Sequence, residues 1–326
     1  MDKTSRLASN EDLLRREDSM EQREGRLAHG DIELYYEDWG RREDPALLLI
    51  MGLSGQLIHW PEAFVRQLVE RGLRVIRFDH RDIGLSSALP NQGRYRLPRA
   101  MLRASFGLAV AAPYTLDDLA DDCIALLDGL QIARAHIAGI SMGGMIAQIL
   151  AAEHPERVAS VSIMMSSPLM PGLFPPSPRM LWTMLSGGFG GRKPKGLARP
   201  RPEDIADFLQ RLSGRQHRSA HAHLVSVARQ ALARAYRPAG VMRQMLAILA
   251  TGDLRPRLHK IRAPALVMHG RDDPLLPWWG GWIIARHIRG AQWRLVPGWG
   301  HDLPESMHAE LVSRIGALTE TAAQLR

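Results

Sequence analysis

Residues 135–147, A-H-I-A-G-I-S-M-G-G-M-I-A, constrain the fold of this chain more than any other stretch. A short β-type segment, His136 to Ala138, meets Gly139-Ile-Ser141-Met-Gly143, and a helical apolar pattern follows at once. A serine that turns the chain from strand to helix in so few residues sits on a tight, strained backbone, and its neighbours two residues to either side must lack bulk. Gly139 and Gly143 meet that need. G-x-S-x-G between strand and helix is the spacing of a nucleophile elbow. It sets Ser141 at a helix N-terminus, where free N–H groups and the helix dipole favour developing negative charge. A plain small-residue turn between packed helix and sheet would read the same way. The weight of the motif therefore depends on whether the chain supplies an acid and a histidine downstream.

Around the elbow, strands and helices alternate. Gly25 to His29 and Asp31 to Asp38 carry strand signals, the second alternating apolar and polar residues. Ala46-Leu-Leu-Leu-Ile-Met51 is a continuous apolar run, the mark of a strand buried on both faces. A glycine-bearing loop follows (Gly52 to Gly55), then a helix from Pro61 to Arg71 and a strand from Leu73 to Asp79. Residues 88–114 hold an apolar stretch, Met101 to Ala112, framed by prolines and too short to span a bilayer. Thr115 caps the next helix, with Asp118 three residues on. After the elbow helix, Val158 to Met165 is another buried strand. Strand–helix alternation of this kind implies a mostly parallel sheet wrapped by helices.

The rhythm breaks at residue 166. Residues 167–255 carry Pro/Gly-rich segments and helical patterns (Ile205 to Leu212, Ala220 to Tyr236, Val241 to Ala250) but no strand pattern, and read as a helical cap. Alternation resumes with a strand at Ala265 to Gly270, a helix from Trp279 to His287, a strand at Gln292 to Val296 and a closing helix from Glu305. The domain expectation is a charged extension over 1–25, a core built from 26–166 and 256–326, and the cap over 167–255.

Charge is unevenly spread. Of the net +8, residues 166–256 contribute +10, from fourteen Arg/Lys against four Asp/Glu, and the remainder is about −2. The arginines are scattered among Pro, Gly, Leu and Met without a nucleic-acid-binding motif, so solvated faces of helices account for them and no nucleic-acid partner is expected. The single cysteine, Cys123, lies in a helical pattern, excludes an internal disulfide and fits a reducing compartment. No apolar run is long enough for stable membrane insertion, and the first 26 residues have no apolar leader core, so a cytoplasmic location is expected.

Two loops complete the chemistry. Gly270-Arg-Asp-Asp273-Pro follows one strand, and Gly298-Trp-Gly-His301-Asp follows the last. Ser141, Asp273 and His301 then stand in the order nucleophile, acid, base, each after a parallel strand, at the sheet edge where doubly wound proteins build their sites. Serine needs a base to accept its proton, histidine titrates in the right range, and an aspartate fixes the imidazole tautomer. Asp273 is preferred over Asp272 because it immediately precedes the proline turn. The oxyanion requires two backbone donors; Met142 N–H follows the nucleophile, and Leu53 N–H is the choice from the loop after the Ala46 strand. His59, Trp60, Met165 and Trp299 are candidate substrate-binding residues by their places beside these loops, although packing is the commoner explanation for such residues. Neither a metal nor an organic cofactor is required.

M-G-L-S-G, F-D-H-R-D-I-G-L-S, G-I-S-M-G-G, H-G-R-D-D-P and G-W-G-H-D-L-P occur in an order and spacing that resemble the α/β-hydrolase superfamily over residues 26–322. The resemblance implies an α/β-hydrolase fold, an eight-stranded, mostly parallel sheet flanked by helices with a helical cap. Within it, M-G-L-S-G-Q-L-I-H-W, D-H-R-D-I-G-L-S and Y-R-P-A-G-V-M-R-Q resemble aclacinomycin methylesterase-like bacterial esterases. That implies a carboxylesterase, and a helical cap rich in Leu, Met and Trp favours small, moderately apolar esters. One departure is Met51-Gly52, where His-Gly is frequent. Acyl transfer, perhydrolysis and C–C hydrolysis would use the same three residues, and a receptor could retain the fold without turnover. Oligomeric state is left open.

Overall fold

The computed structural model describes residues 21–90, 96–170 and 199–324. Residues 1–20 of the expected 1–25 extension and residues 171–198 of the expected cap lie outside the described residues. The chain runs β1 (Gln22–His29), β2 (Ile32–Trp39), β3 (Ala46–Ile50), α1 (Glu62–Val69), β4 (Arg74–Phe78), α2 (Leu97–Ser105), α3 (Leu116–Gly129), β5 (Ala135–Ile140), α4 (Met142–Glu153) and β6 (Val158–Met164). The helices α5 (Pro202–Leu212), α6 (His221–Arg234), α7 (Pro238–Thr251) and the single turn α8 (Arg255–Leu258) follow. The sheet is then completed by β7 (Ala265–Gly270), α9 (Trp278–His287), β8 (Gln292–Val296) and α10 (Glu305–Gln324).

All eight strands form one sheet in the order β1-β2-β4-β3-β5-β6-β7-β8. β1 and β2 are a hairpin, β2 pairs antiparallel with β4, and every later pairing is parallel. The continuous apolar runs occupy the middle. β3 (ALLLI) and β5 are buried at every residue, as strands covered on both faces must be. β1 starts at Gln22, three residues earlier than its sequence pattern indicates, because backbone pairing with β2 extends to Gln22 opposite Trp39. Its side chains alternate between exposed and half-buried, so the hydrophobic signal there is weak.

Two apolar layers flank the sheet. One joins α3, α4, α7 and α9 through Leu119, Leu126, Ile146, Ala247 and Ile284; the other joins α1 and α10 through Phe64, Leu68, Leu311 and Ile315. Cys123 lies fully buried in the first, where burial pushes its thiol up. β2 and β4 are also tied by two buried ion pairs, Arg74–Asp38 at 2.9 Å and Arg77–Glu37 at 2.6 Å. At the start of α3, the Thr115 N–H donates to the Asp118 carboxylate at 2.7 Å, which fixes where the helix begins.

The inserted helices α5–α7 follow from local chemistry. α5 and α7 each begin with proline, whose missing N–H costs nothing in a first turn. α7 stops at Gly252, in the left-handed region at φ 74°. The insertion leaves the sheet after β6 and returns before β7, so its helices rest on the loops at the C-terminal edge. No described helix is long and apolar enough to cross a membrane.

Candidate active site

Ser141 bridges β5 and α4 with φ 57° and ψ −118°, a region that costs a non-glycine residue about 1–3 kcal/mol. Packing holds it there. Its N–H donates to Met164 O at 2.9 Å, and its carbonyl accepts from the Ser166 hydroxyl at 2.8 Å and the Met145 N–H at 3.1 Å. The flanking glycines are required by contact: a Cβ on Gly139 would lie 2.2 Å from Gly143 O, and one on Gly143 would lie 2.0 Å from Ile50 O. α4 is thereby pressed against β3 and β5.

The loop after β3 faces the serine from the neighbouring strand, since a Cβ on Gly52 would sit 3.1 Å from Ser141 Cβ. Gly55 N–H closes the turn on Gly52 O at 3.1 Å, and Ser54 adopts φ 64°. Among the described residues no protein group accepts from the Leu53 or Met142 N–H. Four side chains outside the expected set hold this loop. His80 Nε2–H donates to Met51 O at 3.0 Å; its burial pushes the imidazole down to about 4, so it is neutral at ordinary pH. Gln244, on α7, accepts from Ser54 N–H at 2.9 Å through Oε1. Gln56 donates to Ala231 O at 2.8 Å and accepts from Arg234 at 2.7 Å, both on α6. Asp79, fully buried, accepts from Leu57 N–H at 2.7 Å and Leu85 N–H at 2.9 Å and pairs with Arg234 at 3.0 Å.

Asp273 and His301 meet at the far side of the sheet edge. His301 Nδ1–H donates to Asp273 Oδ2 at 2.6 Å. Asp273 Oδ1 accepts from the N–H groups of Leu275 and Leu276, each at 2.8 Å, so the carboxylate is fixed by its own proline turn. His269, at the end of β7, adds a contact from Nε2 to Oδ2 at 3.2 Å and donates to Leu276 O at 3.0 Å. Burial alone would raise the Asp273 carboxyl, but the charge of His301 and the hydrogen bonds from both histidines outweigh it and hold the group well below the usual carboxylate range. Asp272 has a different partner, accepting from the Arg215 N–H at 3.3 Å. The base loop crosses the end of β7: Trp299 O accepts from Asp272 N–H at 3.0 Å, and a Cβ on Gly270 would lie 2.2 Å from Trp299 O.

The turn between α5 and α6 grips the base loop. Gly298 O accepts from Gln216 and His217 N–H groups, each at 3.1 Å. The Ser213 hydroxyl donates to Asp302 Oδ2 at 2.6 Å. Burial raises the Asp302 carboxyl to about 6, against the opposing effects of the Ser213 hydrogen bond and the charge of His301.

The candidate substrate-binding residues divide. Trp60 and Trp299 are fully buried in the α1/α10 layer; Trp60 stacks on Phe64, and Trp299 Nε1–H donates to Asp302 O at 2.8 Å. Met165, at φ 47°, is fully buried too and pairs through its N–H with Met268 O. All three are fully enclosed by the surrounding core. Only the half-buried His59 retains exposure, and its Nδ1 bonds the Gln56 backbone. Among the described residues no cluster of three His, Cys, Asp or Glu side chains forms a metal-ligand set.

The mixed eight-stranded sheet thus carries a strained serine after β5, a buried aspartate after β7 and a histidine after β8. Residues 45–306 match the model of the alpha/beta hydrolase fold family, and the chain belongs to that family. It is 29% identical to rhodomycin D methylesterase DnrP of Streptomyces peucetius, over 91% of this chain and 98% of the relative. It is 27% identical to a putative carbamate hydrolase, RutD of Variovorax paradoxus, over 83% of this chain and 90% of the relative. Among solved structures, the enol-lactonase from Burkholderia xenovorans superposes with a TM-score of 0.64 at 25% identity, covering 92% of this chain and 98% of that one.

Proposed function

We propose that this protein is a serine carboxylesterase that cleaves small, moderately apolar esters through an acyl-enzyme. The observation that carries the reading is the 2.6 Å bond from His301 Nδ1 to buried Asp273, on the same sheet edge as the strained Ser141. With the Nδ1 proton committed to the aspartate, Nε2 is the atom left to act as base. Ser141 Oγ attacks the ester carbonyl carbon and its proton passes to His301 Nε2. The carbonyl electrons collect on oxygen, which the Leu53 and Met142 N–H groups stabilise. Collapse expels the alcohol, protonated by His301. Water, deprotonated by the same imidazole, then attacks the acyl-enzyme and releases the acid and free Ser141.

The similarity to a methylesterase along nearly the whole chain supports a small alcohol as leaving group. The test is a panel of methyl and p-nitrophenyl esters of increasing acyl length, run beside Ser141→Ala. Hydrolysis by the parent, with the variant slower by at least about 10⁴-fold, is the expected outcome. Equal rates for the two, or no hydrolysis of any ester, would overturn the proposal.

A further inference from the structure

The segment 96–113 takes no part in the site described above, and its surface is unusual. α2 places its side chains inside out. Ala100 is buried and Ala104 half-buried, whereas Leu102, on the opposite side of the helix, is 61% exposed and Phe106, which ends the helix, is 73% exposed. By helical spacing Arg99, Leu102, Arg103 and Phe106 share one face. Leu108 beyond it is 52% exposed. These are the three most exposed large apolar side chains among the described residues.

The tip is built, not frayed. Gly107, at φ 65°, reverses the chain; its N–H donates to Ala104 O at 2.9 Å, and Leu108 N–H donates to Arg103 O at 2.9 Å. Those two bonds form the paired closure of a Schellman turn. Arg103 Nε–H donates onward to Ala109 O at 2.7 Å and holds the return strand of the loop. Such a turn ordinarily buries an apolar contact; here Phe106 and Leu108 project to solvent from a fixed frame. Residues 96–113 carry Arg96, Arg99 and Arg103 and no acidic residue. α2 packs on α7, beside the C-terminal edge of the sheet, and α7 adds Met242 at 37% exposure.

We propose that this basic, apolar-tipped helix docks the protein reversibly on an anionic lipid surface. An apolar tip inserted at headgroup depth with arginines around it suits the negative potential of such a surface and the amphipathic boundary beneath it. A two-fold contact with a second copy would instead set Arg99 and Arg103 against their own counterparts. A nucleic acid would match the arginines but leave Phe106 and Leu108 without apolar contact. The docking is peripheral and salt-sensitive, because so few apolar side chains give only marginal anchoring alone. It would act whatever ester the site cleaves.

The test is co-sedimentation of the full chain with vesicles of phosphatidylcholine alone or mixed with phosphatidylglycerol, at low and high salt. On the order of tenfold or greater partitioning onto the anionic vesicles is expected, weakening with salt. Arg99→Glu, and separately Phe106→Ser with Leu108→Ser, should each reduce it about tenfold or more while hydrolysis of a water-soluble ester stays unchanged. Ser141→Ala should still bind, which separates docking from the esterase reading. Failure of the parent to bind the anionic vesicles would overturn the proposal, as would binding that the tip variant leaves intact. A concentration-dependent dimer that the tip variant splits, without lipid partitioning, would assign the tip to self-association instead.

Discussion

The main-chain N–H of His301 donates to the carbonyl of Leu212 at 2.7 Å. One end of that bond is the proposed base and the other is the last residue of α5, so the inserted helices act directly on the histidine. The approach is close because glycines line it. A Cβ on Gly300 would lie 2.2 Å from Leu212 O, and a Cβ on Gly214 would lie 2.0 Å from Gly298 O.

Gly300→Ala and Gly214→Ala press the same two backbones apart from opposite sides. Both should shift the imidazole and lower kcat/KM for ester hydrolysis by about 10²-fold, the scale of a misplaced catalytic group. Steady-state kinetics beside far-ultraviolet circular dichroism separates this from unfolding. Parent-like rates in both variants would show that the turn does not set the base.

Asp273→Asn keeps the shape of the acid but no longer holds His301 in the tautomer with Nε2 free, and should cost on the order of 10⁴ in kcat. Stability follows from the depressed carboxyl. Its ionised form contributes in full above the unfolded value of about 4 and is lost as pH falls through the lower folded value. Denaturant titrations of parent and variant should therefore differ at neutral pH and converge under strongly acidic conditions.

Asp302 has the opposite sign. Its carboxyl is raised to about 6 by burial, so the fold favours the protonated form and loses stability as pH rises from about 4 to 6. Asp302→Asn is expected to stabilise the protein by about 2 kcal/mol above pH 7 and to leave it nearly unchanged below pH 4. Thermal melts across that range read the effect directly. A variant less stable than the parent at pH 8 would contradict it.

Gln244→Leu removes the acceptor from Ser54 N–H, next to the proposed Leu53 donor. The buried amide also leaves its Nε2 without a partner among the described residues, so the exchange offsets part of what it removes. We expect kcat to fall on the order of tenfold with KM nearly constant, since a loosened oxyanion donor acts on the transition state. A KM rise at constant kcat would place Gln244 in ground-state substrate binding instead.

Elements whose cause is local are legible in the sequence alone. Gly139 and Gly143 are legible because a tight turn excludes side chains at fixed offsets, and β3 because five apolar residues in a row suit a strand covered on both faces. The Thr115–Asp118 cap is equally legible, its two residues three positions apart. β1 extends beyond its sequence pattern because hydrogen bonding to β2, not hydrophobicity, sets where it starts. Trp60, Met165 and Trp299 stand beside the right loops, yet proximity along the chain does not say whether a side chain turns toward a ligand or into a core.

The sequence by itself determined the fold class and the order Ser141, Asp273, His301, since alternating periodicities and turn-bearing glycines are properties of short windows. Tertiary structure alone decided what supports those residues. Ser54 meets Gln244 across 190 positions, and Ser213 meets Asp302 across 89. No periodicity encodes such pairings. They exist because the insertion after β6 folds back over the sheet edge, where buried polar groups must find partners among whatever the fold brings near.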